Sequence, residues 1–421
     1  MKDARLVRSR AAPMKILFVH QNMPGQFKHL APLMARSGHE VVFVTKRRDI
    51  EIPGVRKIVY APTRAARSST HHYLRLYENS VLHGQQVVRV CQDLAREGWI
   101  PDIAVAHPGW GESLFIKDVF QSTPILSYCE FYYTGQGADV GFDPAAPATI
   151  DDLCRARARN AHLLLSLEVA DRGWSPTRWQ WSRHPLALQP KIETIFDGID
   201  TPAVRPDPAA RLTLPNGRVL TPQDEVITYV ARNLEPYRGF PSFMRALPAI
   251  LAARPDAQVV VIGGDGVSYG APPAEGGSWR EVMQREVNLD PERVHFLGKV
   301  PHGRFVAALQ VSSLHLYLTM PFVLSWSFME ALAAGCLVLG SRTAPVEEML
   351  VEGENGFFTD FFDPAQIAQD VERALSHPDR QAVRRAARQT ILDRYDLTQC
   401  LQQQLSLIET VSGKPIVLQA N

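Results

Sequence analysis

The stretch PFVLSWSFMEALAAGCLVLGS, residues 321–341, restricts the fold of this chain more than any other segment. It follows an apolar run, Leu314–Leu318, that is typical of a short buried strand. The stretch itself predicts a loop, then a helix that begins near Ser325–Ser327 and carries Glu330 on its first turn, and then a strand at Leu337–Leu339. A strand, a helix and a strand in this order form the repeating unit of an α/β protein with a parallel sheet.

The same alternation extends through both halves of the chain. The predicted strands of the first half are Ile16–His20, Val41–Thr45, Ile103–His107 and Ile125–Cys129. Those of the second half are Val226–Val230, Val259–Ile262, Val294–Leu297, His315–Leu318 and Leu337–Leu339. Predicted helices cover about residues 26–37, 73–96, 113–120, 240–253, 302–312, 327–334 and 365–375. We therefore predict two doubly wound parallel sheets, which bind ligands at the carboxyl ends of their strands.

Composition divides the chain into segments. Residues 201–224 carry five prolines and no apolar period, which predicts a linker between a first domain at 14–200 and a second at 225–395. The basic residues 1–13 lack the apolar core of a signal peptide and are predicted to be a disordered leader. Residues 396–421 contain a predicted helix that packs back onto the first domain.

Charge and cysteine content exclude several classes of protein. The net charge is +1, whereas proteins that neutralise nucleic-acid phosphates need a clear basic excess. Residues 1–200 hold 25 Lys and Arg against 20 Asp and Glu, and the rest of the chain holds 20 against 24, so an anionic acceptor or a membrane surface would meet the first half. No apolar run is long enough to span a membrane. Five scattered cysteines without a C-x-x-C pair favour a reducing cytoplasm over a disulfide framework or a structural zinc site.

Three features of the second half indicate an anion and nucleotide site. The N–H groups of the first turn of the helix at Ser325–Ser327 suit a diphosphate, and Glu330 can accept hydrogen bonds from the two hydroxyls of a ribose. Arg232 and Arg238 flank a strand–loop–helix connection, where two guanidiniums can clamp a pyrophosphate. The glycines of Gly263-Gly-Asp-Gly266 permit close approach of a ligand to the backbone. Taken alone, the helix start is better explained as a capped helix with a solvated acid and the arginines as two surface residues, and the glycine pattern is weak evidence.

Together and in this order, these features resemble glycosyltransferase family 4 on the GT-B fold. The resemblance includes VHFLGKV at 294–300, MEALAAG at 329–335 and EGENGFF at 352–358. In the first half it includes the glycine loop within HQNMPGQFKHLAPLMARSGHEV at 20–41 and the segment IFDGID at 195–200. It implies two Rossmann-like domains that face each other across a cleft, with the C-terminal helix crossing back to the first domain. It also implies a retaining transferase that uses a nucleotide-diphosphate sugar.

The resemblance assigns roles to matching positions. Arg232 and Arg238 fall on the phosphate-binding pair of the family, and Glu330 falls on its ribose-binding Glu. Ser325, Trp326 and Ser327 fall on the helix start that holds the diphosphate. Gly25 falls on the glycine loop of the first domain, and Gly264 belongs to the glycine-rich turn on the donor side.

One position departs from the family. Eight residues before Glu330 the family usually has a second Glu that contacts hydroxyls of the donor sugar, and this chain has Phe322. A Phe side chain cannot accept a hydrogen bond, so recognition of the sugar by this chain must differ. The same departure supports the alternative that the protein binds a nucleotide sugar without transferring it.

The first domain supplies further candidates for catalysis. His107 follows a predicted strand, and Glu130 follows the next, near where the family places a histidine beside the donor sugar. Glu130 could bind a sugar hydroxyl or stabilise positive charge at the anomeric carbon, and a buried structural acid is the alternative. His20 ends the first predicted strand and is a further candidate for a role in catalysis.

The sequence thus predicts a cytoplasmic glycosyltransferase that needs no cofactor and no metal, because no cluster with metal-ligand spacing occurs. Its partners would be a nucleotide-sugar donor and a glycan, lipid-linked, protein or small-molecule acceptor, and peripheral contact with the inner face of the membrane stays open. A nicotinamide-dependent enzyme is disfavoured because no G-x-G-x-x-G follows the first strand. The nucleotide, the sugar, the acceptor and the oligomeric state are left open.

Overall fold

The computed structural model describes residues 12–418, which divide into two compact units. The first unit contains the chain up to Asp197 together with Cys400 onward, and the second unit contains Gly198–Gln399. Apart from its last two residues, the predicted leader at 1–13 lies outside the described residues.

The first unit is built on a seven-stranded parallel sheet in the order β3-β2-β1-β4-β5-β6-β7. Its strands are β1 Lys15–Val19, β2 Glu40–Thr45, β3 Val55–Val59, β4 Ile103–Ala106, β5 Ile125–Tyr128, β6 Arg172–Ser175 and β7 Ile192–Thr194. Its helices are α1 Leu30–Arg36, α2 Arg75–Arg96, α3 Ile116–Val119, α4 Ile150–Arg159, α5 Ala161–Val169 and α6 Arg178–Arg183. The strand order reverses between β1 and β4, so the carboxyl ends of these two strands border the crevice where such sheets bind ligands.

Both faces of this sheet are covered, as the apolar character of β1 requires. Ile16 and Phe18 belong to one buried cluster, and Leu17 and Val19 belong to a second, because successive side chains of a strand point to opposite faces. A parallel strand buried on both sides therefore appears in the sequence as a continuous apolar run.

The second unit holds a six-stranded parallel sheet in the order β12-β11-β10-β13-β14-β15, with a small antiparallel pair before it. The strands are β8 Leu212–Thr213, β9 Val219–Leu220, β10 Val226–Asn233, β11 Gln258–Gly264, β12 Val294–Gly298, β13 Leu314–Tyr317, β14 Val338–Ser341 and β15 Phe357–Thr359. The helices are α7 Phe240–Ala253, α8 Trp279–Glu286, α9 His302–Gln310, α10 Trp326–Ala333, α11 Ala344–Glu347, α12 Pro364–Leu375 and α13 Arg380–Arg394. Here the strand order reverses between β10 and β13.

The last helix, α14 at Leu397–Ser412, begins in the second unit and belongs to the first from Cys400 onward. Leu405, Leu407 and Ile408 are buried in the same cluster as Ile16 and Phe18. This packing confirms the prediction that the C-terminal helix returns to the first domain, and two doubly wound sheets confirm the predicted α/β class.

Residues 201–224 differ from the linker that their prolines predict. They belong to the second unit and contain the β8–β9 pair. Leu212 and Leu220 pair across it and are 1% and 0% exposed. The prolines fix turns around a small buried hairpin, so this segment is part of a folded unit.

Candidate functional site

In the second unit, Arg232 lies at the carboxyl end of β10, the central strand beside the reversal of strand order. Its side chain is exposed. Within residues 12–418, its guanidinium makes no hydrogen bond or ion pair. The positive charge of Arg232 is therefore available to bind an anionic ligand.

Arg238 is placed differently from what the sequence predicts. It is 5% exposed and donates hydrogen bonds to the Tyr317 hydroxyl at 3.1 Å and to Thr319 Oγ1 at 2.6 Å. A third bond goes to the Val323 carbonyl at 3.1 Å. These acceptors lie at the end of β13 and in the loop that leads to α10. The hydrogen bonds from Arg238 therefore hold that loop in position.

Phe322, in the same loop, packs in a cluster of aromatic rings. Its centroid lies 5.5 Å from that of Tyr237 and 5.2 Å from that of Tyr269, and it is 7% exposed. Tyr269 is held in place by Glu235, a fully buried carboxylate that accepts backbone N–H bonds from Ser268, Tyr269 and Gly270 at 3.1–3.2 Å. The position where the family has a Glu is therefore an apolar wall bordered by two tyrosines.

The helix α10 begins at Trp326, within the predicted range. Glu330 is its fifth residue and therefore lies in the second turn, not in the first turn as predicted. Ser325 precedes the helix and donates its N–H to the Tyr317 hydroxyl at 3.1 Å, while the hydroxyls of Ser325 and Ser327 are 2.8 Å apart. Ser325, Trp326 and Ser327 are all half-buried.

Glu330 is 9% exposed, and its Oε1 lies 2.8 Å from Nε2 of His302 at the start of α9. This contact orients the carboxylate and leaves its second oxygen for another donor. Sequence reasoning missed His302, because the partner stands on a different helix and no local pattern links the two residues.

Gly264 ends β11 and is paired with Asn233 of β10. A Cβ atom at Gly264 would lie 2.4 Å from Lys299 Cε and 2.6 Å from Asn233 Oδ1. A residue with a Cβ atom at this position would therefore push these two side chains aside. Close approach of a ligand to the backbone of Gly264 stays a prediction.

In the first unit, three polar side chains follow the neighbouring strands β1, β4 and β5 at the carboxyl edge of the sheet. His20 follows β1, His107 follows β4 and Glu130 is two residues beyond β5. The His20 and His107 ring centroids lie 4.8 Å apart, and His107 Nε2 lies 3.3 Å from Glu130 Oε2. The structure therefore brings together the three candidates of this half.

Gln26 joins these groups into one chain of hydrogen bonds. Its Oε1 lies 2.6 Å from His20 Nε2, and its Nε2 donates to Glu130 Oε1 at 2.6 Å. Sequence reasoning named the preceding Gly25 and missed Gln26. Gly25 has φ +53°, and a Cβ there would lie 2.3 Å from His20 Nε2, so glycine is needed for the turn that presents Gln26.

The hydrogen bonds define the protonation of both imidazoles. Nδ1 of His20 accepts the Asn22 N–H at 2.9 Å, and Nδ1 of His107 accepts the Gly109 N–H at 3.0 Å. In the tautomer that these contacts select, the N–H group is at Nε2, which donates a hydrogen bond to Gln26 in the case of His20 and to Glu130 in the case of His107. Burial, followed by the nearby His107, holds the pKa of His20 well below its ordinary value, so this ring stays neutral.

Neither a cluster of metal ligands nor a membrane-spanning helix occurs in the part of the chain that the structure describes. Among residues 12–418, no group of three or more His, Cys, Asp or Glu side chains is arranged to hold a metal ion. None of the helices in this range is long and apolar enough to cross a membrane.

Two family models match the chain. Residues 37–204 match the glycosyl transferase family 4 group, and residues 216–390 match the glycosyl transferases group 1. The boundary between the matches lies close to the boundary between the two units. The chain belongs to the glycosyltransferases of the family 4 type.

Relatives in sequence are distant. The chain is 24% identical over 282 residues to the GDP-mannose-dependent alpha-(1-6)-phosphatidylinositol monomannoside mannosyltransferase of Mycolicibacterium smegmatis, a match of 58% of this chain and 68% of the relative. It is 24% identical over 203 residues to the phosphatidyl-myo-inositol mannosyltransferase of the same organism, covering 47% and 48%. A match to spore coat protein SA of Bacillus subtilis, at 26% identity, covers 48% and 53%. This chain thus spans about half of the second and third relatives.

Solved structures match over nearly the whole chain. Sucrose-phosphate synthase of Thermosynechococcus elongatus superposes with a TM-score of 0.69 at 16% identity, covering 95% of this chain and 99% of the other. The HepE protein of Anabaena in complex with UDP-glucose gives 0.65 at 15% identity, covering 94% and 100%. The fold is GT-B.

Proposed function

We propose that the protein transfers a sugar from a nucleotide-diphosphate sugar to a saccharide-type acceptor, with retention of the anomeric configuration and without a metal ion. The observation that carries this proposal is the placement of Glu330. It lies one turn beyond Ser325–Ser327 on α10, nearly buried, with one carboxylate oxygen on His302. A carboxylate oriented in this way beside a helix start suits a ribose and its diphosphate.

The phosphates would be neutralised by Arg232 and by the start of α10. Arg232 is the exposed, uncompensated cation at the end of β10. Charge-assisted hydrogen bonds from a guanidinium stabilise the charge that grows on the leaving phosphate during transfer. Arg238 contributes by positioning, because its donors hold Tyr317, Thr319 and Val323.

Retention does not require a nucleophilic carboxylate. An acceptor hydroxyl held on the same face as the leaving phosphate can give its proton to a phosphate oxygen, so that positioning and phosphate stabilisation supply most of the catalysis. On this proposal Phe322 alters how the sugar is recognised and leaves the transfer step intact. Glu130, with His107 on one oxygen and Gln26 on the other, is proposed to act on the transferred sugar.

The activities of two similar proteins support this class of reaction. One curated relative is a GDP-mannose-dependent mannosyltransferase, and one superposed structure contains UDP-glucose. A donor panel must therefore contain at least GDP and UDP sugars. The acceptor classes to be tested with it are glycans, lipid-linked sugars, proteins and small molecules.

The test measures release of nucleoside diphosphate from each donor in the presence of EDTA. We expect one nucleotide sugar to be consumed in EDTA, with the anomeric configuration of the donor kept in the product when examined by NMR. Glu330→Ala should weaken binding of the cognate ribonucleotide and reduce discrimination against its 2′-deoxy form. The matched control is Glu354→Ala, an exposed acid of the same unit.

Three results would contradict the proposal. An inverted product would exclude retention, and complete loss of turnover in EDTA with recovery on adding a divalent ion would exclude metal independence. Equal discrimination by the parent and Glu330→Ala would exclude the ribose role. Tight binding of a nucleotide sugar with no turnover over the whole acceptor panel would favour a binding protein instead.

A further inference from the structure

A cavity of about 580 Å³ lies within the first unit, at the carboxyl end of its sheet. Lys46 follows β2, and Gly109 and Trp110 follow β4, so the cavity is lined by loops that extend from neighbouring parallel strands. Side chains from α2 and from the α4–α5 junction complete it. Open α/β sheets bind ligands at this edge.

The lining is cationic and contains no carboxylate. Its charged members are Lys46, Arg64 and Arg159, and two histidines, His83 and His162, also line it. A cavity with three permanent positive charges and no acid favours an anionic ligand.

Two of these cations have no acid to balance them. Arg64 forms an ion pair with Glu78 at 2.6 Å. Lys46 and Arg159 form no ion pair within residues 12–418, and the Arg159 guanidinium lies 3.8 Å over the Tyr133 ring. That stacking holds the planar group in one orientation, which prepares it to bind a phosphate with two parallel hydrogen bonds.

One fully buried acid contacts a residue of the cavity lining. Glu112 is fully buried, accepts a hydrogen bond from the Tyr60 hydroxyl and lies 3.6 Å from His83 Nδ1. Glu112 itself does not line the cavity, whereas its neighbour His83 does.

Trp110 connects the cavity to the chain of His20, Gln26, Glu130 and His107. Its ring stacks on His107 with centroids 4.8 Å apart and meets the edge of His20 at 5.3 Å. Trp110 is half-buried, and the face of an indole ring can pack against the C–H groups of a sugar. A polyol in the cavity would therefore lie next to the residues proposed to act on the transferred sugar.

We propose that this cavity binds the acceptor, and that the acceptor is a phosphorylated saccharide or polyol whose phosphate is held by Lys46 and Arg159. The role of the bound molecule as acceptor rests on the proposed function. The binding of an anion in the cavity does not depend on it. The phosphate can belong to a soluble sugar phosphate or to the headgroup of a phospholipid, since both present the same group.

The experiment compares phosphorylated with unphosphorylated probes by calorimetry. The soluble arm uses myo-inositol 1-phosphate and glucose 6-phosphate against inositol and glucose. The lipid arm measures sedimentation with vesicles of phosphatidylinositol mixed into phosphatidylcholine, against vesicles of phosphatidylcholine alone. We expect the parent protein to prefer the phosphorylated probe at least about tenfold in one arm. The arm that responds identifies the source of the phosphate.

The double variant K46Q/R159Q should lose this preference. The control R48Q/R157Q removes the same charge two residues away from each site, from exposed arginines that do not line the cavity, and should keep it. Binding of the cognate nucleoside diphosphate is measured on all three proteins and should be unchanged. This readout separates failure of the proposed function, which loses nucleotide binding, from failure of the cavity proposal.

Absence of any preference in both arms, or an unchanged preference in K46Q/R159Q, would overturn the proposal. Equal loss in the control and the double variant would also overturn it, because the effect would then come from the net charge of the first unit.

Discussion

Arg232 and Arg238 are six positions apart and look equivalent in the sequence, yet their surroundings give them different tasks. Arg232 is exposed and carries an uncompensated charge, whereas Arg238 is 5% exposed and donates to three groups of the protein. A hydrogen bond to a charged group contributes more than one between neutral groups, and a buried donor or acceptor left without a partner is costly.

Alanine variants of the two arginines should therefore fail in different ways. Arg238→Ala should lower the free energy of unfolding by about 3 kcal/mol or more, because Tyr317, Thr319 and Val323 lose a charged donor. Arg232→Ala should change stability by less than about 0.5 kcal/mol but weaken nucleoside diphosphate binding about tenfold. Urea denaturation and calorimetry measure the two effects. A stable Arg238→Ala protein would refute the positioning role.

Glu130 is the second residue whose contacts predict a separable effect. It receives Gln26 on one oxygen and His107 on the other, and neither contact involves the nucleotide site of the second unit. Glu130→Ala should lower the transfer rate at least about tenfold, or roughly 1.4 kcal/mol, with little change in diphosphate affinity. Glu193→Ala, an exposed acid on β7, is the control. Loss of diphosphate affinity in Glu130→Ala would contradict this division of roles.

At the level of elements, the buried strands and the helices packed on them were predicted well from the sequence. The predicted bounds of α7, Phe240–Ala253, agree with the structure at both ends. The predicted bounds of β1 are shifted by one residue at each end. The edge strand β3 was missed, because its sequence VRKIV has two adjacent charged residues, which interrupt both an apolar run and an alternating pattern, and because it is only partly buried. The strands β7 and β15 were also missed, because three residues are too few to show a periodic pattern of apolar side chains.

The sequence did not predict the contacts that residues make between different elements. Glu235 fixes the loop at 268–270, and His302 orients Glu330, but the partners in each case are 28 or more positions apart. Sequence spacing identifies residues that share one helix or one strand end, whereas these pairs depend on how the sheet places α9 and the β11 loop. The candidate site is therefore predictable as a set of strand ends and not as a network of hydrogen bonds.

At the scale of the molecule, both units bury histidines in their neutral form. Burial lowers the pKa of His315 in the second unit to about 3 and that of His184 in the first unit to about 4, from an ordinary value of 6.5. His315 is fully buried and bonds Thr228 Oγ1 through Nδ1 at 2.9 Å. In the unfolded chain these rings regain their ordinary pKa and take up protons below it.

Stability should consequently fall as the pH falls. Below about pH 6.5 the unfolded state binds more protons than the native state, so the free energy of unfolding decreases with decreasing pH until the folded pKa is reached. For one group with a folded pKa of about 3, the loss between pH 7 and pH 5 is about 2 kcal/mol. His315→Leu should remove that share of the pH dependence, measured by urea denaturation at several pH values. His71→Leu, an exposed histidine, controls for the substitution itself. If His315→Leu kept the full decrease between pH 7 and pH 5, protonation of this buried ring would not contribute to acid destabilisation.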